Sequence, residues 1–201
     1  RVQTHLAEST DEIEFVRRLF PDASDYLAVY ERAGLAGERS LFAHSIHLGA
    51  PEFRRIAEAG AAIACCPSSN AFLGSGSFPL AAARETGVEI GLGSDVGAGP
   101  QLSLLDAARH LSYLDQPGPA EILYRATLGG ARALDLEGKT GRLARGMAAD
   151  VLLLEPPPDA TGDPLELFVQ CVFRQPETRV VALLVDGAVV YGRLPDAPPA
   201  R

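Results

Sequence analysis

Positive charge is what this sequence lacks most. In 201 residues, Asp and Glu number 26 against 18 Lys and Arg, a formal net charge of −8. Lys139 is the only lysine. No basic cluster offsets the balance, so the chain repels phosphate backbones and nucleic-acid binding is excluded. The excess of Arg over Lys, with abundant Ala, Gly and Pro, reads as a genome-composition bias without functional content. Long apolar runs are missing too. None approaches the ~18 residues that span a bilayer, and no apolar stretch follows a basic start, so neither membrane association nor a signal peptide is read. Cysteine is scarce: Cys65, Cys66 and Cys171. An odd count with two neighbours argues against a disulfide framework and for a reducing, cytoplasmic setting. The adjacent pair sits in an apolar run and reads as small buried hydrophobes. With 47% hydrophobic and 22% charged residues, what remains is a globular chain long enough to bury a core. It opens on Arg1 rather than Met, with a strand-like segment immediately after. The expectation is a piece of a longer chain.

Apolar runs and helix signals alternate along the first two thirds. Residues 2–7 read as a strand ending near His5. Ser9 and Thr10 ahead of Asp11, Glu12 and Glu14 form a helix start, with acids complementing the macrodipole, and the helix runs to Leu19. A second helix spans about 23–33 and closes at Gly34. The run 40–43 is a strand ending at His44, and Pro51 opens a helix over 52–59. Residues 61–66 form another apolar strand. A Gly/Ser-rich loop is expected over 70–77, a helix over 79–86, and a fourth strand over 88–92 that leads into Gly93-Ser94-Asp95. Helices are expected over 103–114 and 119–134. Strands that are apolar throughout suit a parallel sheet covered on both faces. Four strand–helix units make half of an eightfold barrel.

After Gly138 the signals turn to β: 141–143, 150–154, and a hairpin of 180–185 and 188–191 around Asp186-Gly187, a type I′ turn pair. The Pro-rich stretch 156–164 reads as a loop and the tail 195–201 as frayed. The division expected is 1–138 for the half barrel and 139–201 for part of a small β domain.

Three polar residues stand at the ends of apolar strands: His5, His44 and Asp95. In parallel α/β folds the carboxyl ends of the strands form the active-site face. One strand-end His is ordinarily a hydrogen-bonded structural residue, and an Asp after Gly-Ser is ordinarily a turn or a cap. Three on different strands point instead to one mouth, where imidazole nitrogen and carboxylate oxygen suit a borderline ion such as zinc. Glu8, three residues after His5, is placed to exchange a proton with water, or else to complement a helix start. His47 reads as a loop residue and His110 as structural. Ser68 and Asn70 carry a weak ligand-contact signal, and Tyr26 and Tyr30 read as helix packing.

These motifs resemble the metal-dependent amidohydrolase superfamily. His5-Leu6-Ala7-Glu8, Phe42-Ala43-His44 and Gly91-Leu92-Gly93-Ser94-Asp95 look like strands five, six and eight of its barrel. Within it the chain is most similar to the guanine deaminase family. That likeness is carried by Val96-Gly97-Ala98-Gly99, Cys66-Pro67-Ser68-Ser69-Asn70, Tyr26-Leu27-Ala28-Val29-Tyr30 with Gly34-Leu35, Ala126 to Leu134, Gly141 to Asp150, and Asp163 to Phe168. The resemblance implies the C-terminal half of a (β/α)8 TIM-like barrel (strands 5–8) plus part of a small β-sandwich domain. It implies His5 and Asp95 as Zn2+ ligands. Glu8 is implied as the proton shuttle and His44 as a hydrogen-bonding partner of the attacking water, both contacting substrate, with Asp95 also accepting a proton. The activity implied is hydrolytic deamination of a small-molecule purine, guanine to xanthine, in a homodimeric full-length protein. The family's His-x-His pair on strand one, and the Arg-Phe pair that reads the purine, are absent from this chain. Two protein ligands are too few for a zinc site, so the chain alone is expected to be inactive. Two alternatives stand: an amidohydrolase acting on another amino-heterocycle (a pterin, a thioadenosine-type nucleoside or a triazine), and a non-catalytic half barrel that pairs with a partner chain or with itself.

Overall fold

The computed structural model describes residues 1–195. The tail expected to fray falls, from 196 onward, outside the described residues. Four strands, β1 (Val2–Leu6), β2 (Ser40–His44), β3 (Ala62–Cys65) and β4 (Glu89–Leu92), lie in the order β1-β2-β3-β4. All three pairings are parallel. Each strand joins the next through helices: α1 (Thr10–Leu19) and α2 (Tyr26–Arg32), then α3 (Ala50–Glu58), then α4 (Pro67–Leu73) and α5 (Leu80–Glu85). After β4 come α6 (Leu104–Leu111), α7 (Pro119–Ala126) and α8 (Leu128–Ala133). Strand β2 is buried at every position, as its unbroken apolar run requires. Phe42, Phe53, Phe78, Ile63, Ile90 and Leu111 form the centre of the core between sheet and helices.

Local chemistry sets the helix ends. Ser9 caps α1 in a reciprocal box with Glu12. Asp25 caps α2 by accepting from the Ala28 amide, and Pro51 lies in the first turn of α3. Two expectations change. The stretch read as a loop from residue 70 begins as helix α4: Pro67 opens it, and Gly74, at φ +70°, ends it. The single helix expected over 119–134 is broken at Thr127 into α7 and α8. The break lets Gly129 and Gly130 lie directly against β4. A Cβ on Gly129 would sit 3.0 Å from the Ile90 carbonyl oxygen, and one on Gly91 would sit 2.9 Å from the Gly130 Cα.

A second, antiparallel sheet follows, ordered β5 (Val151–Glu155), β6 (Arg179–Val185), β7 (Ala188–Gly192). Asp186 and Gly187 both have positive φ, 49° and 80°, as a type I′ turn demands. Residues 141–143 form no strand. The Pro-rich stretch gives way to a helix that was not expected, α9 (Pro164–Phe173), with a complete capping box between Asp163 and Glu166. Its Val172 and Phe168 pack into the core of the first unit, so the segment after 138 is anchored on the parallel-sheet side. Among the described residues, no helix is long and apolar enough to cross a membrane.

Candidate functional site

The carboxyl ends of the four parallel strands carry the site. His5 is the fourth residue of β1 and His44 the last of β2, while Asp95 follows β4 by three residues. His44 and Asp95 adopt left-handed backbone, φ 66° and 51°, as do Ala7 and Ser45. Such geometry costs non-glycine residues about 1–2 kcal/mol each, and strain of this kind concentrates at functional sites. Here it turns the chain sharply at the strand ends. The turned segments are knitted together: the Ser45 amide donates to the Leu6 carbonyl at 2.8 Å and the His47 amide to the Ala7 carbonyl at 3.1 Å.

One ligand atom from each of His5, His44 and Asp95 lies within 4.8 Å of the others. The imidazole centroids of His5 and His44 are 5.1 Å apart. His5 is exposed, Asp95 partly buried, and His44 only 1% exposed. Two imidazoles and a carboxylate at this spacing are the donor set that suits a borderline divalent ion. The three strand-end residues read from the sequence as one mouth are thus brought together, with His44 beside the two implied as ligands.

The side chains of His44 and Asp95 are each oriented by a neighbour. Nδ1 of His44 lies 2.9 Å from Oδ1 of Asn70. A proton on Nδ1 bonds that oxygen and leaves the Nε2 lone pair facing the cluster. Ser69 donates its hydroxyl to Oδ2 of Asp95 at 2.5 Å. Ser68, Ser69 and Asn70 are all buried in α4, so the helix that replaces the expected loop presents two of these supports. Glu8 Oε2 stands 3.6 Å from His44 Nε2. The Glu8 amide donates to Glu12 Oε2 at 2.8 Å, and Tyr26 donates to Glu12 Oε1 at 2.8 Å. Tyr30 donates to the His5 carbonyl at 2.9 Å. Tyr26 and Tyr30 therefore do more than pack: their hydroxyls tie α2 to the segment that carries His5 and Glu8. Cys65 and Cys66 are buried free thiols. Burial first, and the Asp95 charge second, push the Cys66 thiol up to about 12, which keeps it a neutral packing residue. His110 lies on α6 and bonds the Asp106 carbonyl, away from the cluster.

Comparison with known proteins matches residues 1–192 to the family described as the amidohydrolase family. A probable guanine deaminase of Deinococcus radiodurans is 38% identical over 98% of this chain and 48% of its own length. The solved guanine deaminase of E. coli superposes with a TM-score of 0.87 at 35% identity, covering 95% of this chain and 48% of that one. An adenosine deaminase from Xanthomonas campestris, solved with bound zinc, superposes with a TM-score of 0.84 at 25% identity, over 94% of this chain and 45% of that one. The chain spans about half the length of the curated relatives it matches. These matches establish a fragment of TIM-barrel type. They do not support the expectation that it is the C-terminal half, since their coverage fixes how much of a relative is matched and gives no ground for that assignment. A family match over nearly the whole chain, on a parallel sheet whose strand ends gather a His/His/Asp cluster, establishes that the chain belongs to the amidohydrolase family.

Proposed function

We propose that the protein carrying this chain deaminates guanine to xanthine and ammonia. The observation that carries the reading is the convergence of His5, His44 and Asp95 within 4.8 Å, with the Glu8 carboxylate 3.6 Å from His44. Likeness to guanine deaminases at 35–38% identity supports the choice of substrate.

The family is metal-dependent, and we assign the ion as zinc, held by His5 and Asp95 with His44 beside them. Zinc, when bound, supplies Lewis-acid chemistry that makes a hydroxide nucleophile available at neutral pH. Glu8 accepts the proton of the attacking water at its carboxylate and returns it to the purine ring. His44 hydrogen-bonds the attacking oxygen, which orients it toward the ring carbon. Asp95, with one oxygen already bonded by Ser69, accepts the second proton of the attacking water and passes it to the departing amine. A carbon–oxygen bond forms at the carbon bearing the exocyclic amine, the carbon–nitrogen bond breaks, and ammonia leaves. A catalytic zinc site uses three or more protein ligands, and the family resemblance assigns two further donors to a His-x-His pair outside this chain. We therefore assign the activity to the full-length protein, with 1–138 as its barrel portion, 139–201 as part of a small β domain, and a cytoplasmic homodimer as the working form.

The test is release of xanthine and ammonia from guanine by the zinc-loaded full-length protein. A loaded protein without turnover overturns the reading. Likeness to the zinc-bound adenosine deaminase favours one second reading, another amino-heterocycle as substrate. A panel of pterins, thioadenosine-type nucleosides and triazines separates the two.

A further inference from the structure

Ser75 follows helix α4 and stands between two glycines with positive φ, Gly74 at 70° and Gly76 at 126°. Three hydrogen bonds from three directions converge on it. Its amide donates to the Asn70 carbonyl at 3.0 Å, closing the end of α4. Its carbonyl lies 3.0 Å from Nε2 of His47, on the segment after β2. Its hydroxyl donates to Oε1 of Glu8 at 3.1 Å, across 67 residues of sequence. The next residue packs closely: a Cβ on Gly76 would lie 3.1 Å from the Ile46 Cγ2 and 3.6 Å from the His47 Cε1. The turn carrying Ser75 is thus seated on the β2–α3 segment and pinned there by an imidazole.

The consequence falls on Glu8. Its backbone is fixed by Glu12, but the terminal torsion of a glutamate is broad, so a fixed backbone leaves the rotation of the carboxylate plane unset. The Ser75 hydroxyl sets it. With Oε1 engaged, Oε2 is the oxygen turned toward His44 Nε2. We propose that Ser75 is a positioning residue that holds Oε1 of Glu8 and presents Oε2 for proton exchange, with His47 anchoring the turn from which Ser75 acts. This inference rests on the proton-shuttle reading of Glu8 given above, and it adds a residue that lies on none of the strand-end motifs.

The test uses the full-length protein with Ser75→Ala, Ser75→Thr, His47→Ala and the Ser75→Ala/His47→Ala pair. Removing a support of this kind typically costs about 10- to 100-fold in activity. Ser75→Ala is expected to lower kcat for guanine by at least that lower factor, with KM and bound zinc unchanged. Ser75→Thr, which keeps the hydroxyl, restores most of the rate. His47→Ala is expected to lower kcat less, and to add little on top of Ser75→Ala, because both act through one contact. A crystal structure of Ser75→Ala supplies a readout independent of turnover and should show the Glu8 carboxylate rotated or in two orientations. Unchanged kcat in Ser75→Ala, or a loss that Ser75→Thr does not restore, overturns the proposal. So does a Glu8 carboxylate that keeps its position in the variant structure, and fully additive costs in the double variant overturn the anchoring role of His47. If wild type turns over a different amino-heterocycle, the guanine reading fails while the same comparison on that substrate still decides for or against Ser75. If no substrate is found, the crystallographic arm decides.

Discussion

The buried amide of Asn70 sets the face that His44 presents to the site: Oδ1 and Nδ1 are 2.9 Å apart and neither residue is more than 1% exposed. Replacing Asn70 by Leu removes the acceptor and leaves the imidazole free to place its proton on Nε2, toward the cluster. Asn70→Leu is expected to lower kcat/KM for guanine by about 10- to 100-fold. Asn70→Asp, which keeps an acceptor oxygen, should lose less. Steady-state kinetics with zinc content measured on the same samples checks the order, and equal losses in both variants count against tautomer control.

Ser69 stands to Asp95 as Asn70 stands to His44. Its hydroxyl, donated to Oδ2 at 2.5 Å, holds a carboxylate whose backbone already turns through the left-handed region. Ser69→Ala is expected to weaken zinc retention by about 10-fold or more. Competition with a chelator of known affinity measures this, and retention equal to wild type contradicts it.

The contact between α8 and β4 depends on glycine. A Cβ on Gly91 meets the Gly130 backbone at 2.9 Å, and backbone cannot rotate away. Gly91→Ala is expected to destabilise the fold by about 1–3 kcal/mol through overpacking. A urea unfolding midpoint at the wild-type value would show that the sheet and helix are not in such contact.

Asp25 links helix capping to an ion pair. It accepts from the Ala28 amide at 2.9 Å and from Arg55 at 2.7 Å. Burial opposes its charged form, but the Arg55 guanidinium, the amide and Ser24 outweigh burial and hold the carboxyl below its ordinary value of 3.8. A depressed carboxyl contributes stability that is present above that ordinary value and is lost as pH falls through the folded one. Asp25→Ala should therefore cost about 1 kcal/mol near neutrality, the size of a lost cap, and the gap between variant and wild type should close at acid pH below 3.8. Thermal unfolding across pH 2.5–7 checks it, and a gap that widens toward acid contradicts the sign.

Much of this architecture was legible in the sequence, because parallel strands buried on both faces leave unbroken apolar runs, and such runs located β1 to β4 with His5, His44 and Asp95 near their ends. Helices α4 and α9 were not read. Their Gly/Ser-rich and Pro-rich surroundings resemble loops, although Pro67 opens one and the Asp163–Glu166 capping box opens the other. The split between α7 and α8 follows from a tertiary contact of Gly129 and Gly130 with β4, which no local pattern encodes. The supports of the site were hidden for the same reason. Ser75 reaches Glu8, Asn70 reaches His44 and Ser69 reaches Asp95 across 67, 26 and 26 residues. Tyr26 and Tyr30 lie on the apolar side of a helix, and their rings suggested packing while their hydroxyls bond Glu12 and the His5 carbonyl.

The most direct test of the account compares wild type and Glu8→Gln in the zinc-loaded full-length protein, following guanine loss with xanthine and ammonia release. General acid–base groups contribute about 10²- to 10⁴-fold. The account predicts turnover by wild type and a loss of that size in Glu8→Gln with zinc content retained. Undiminished turnover in Glu8→Gln would contradict it.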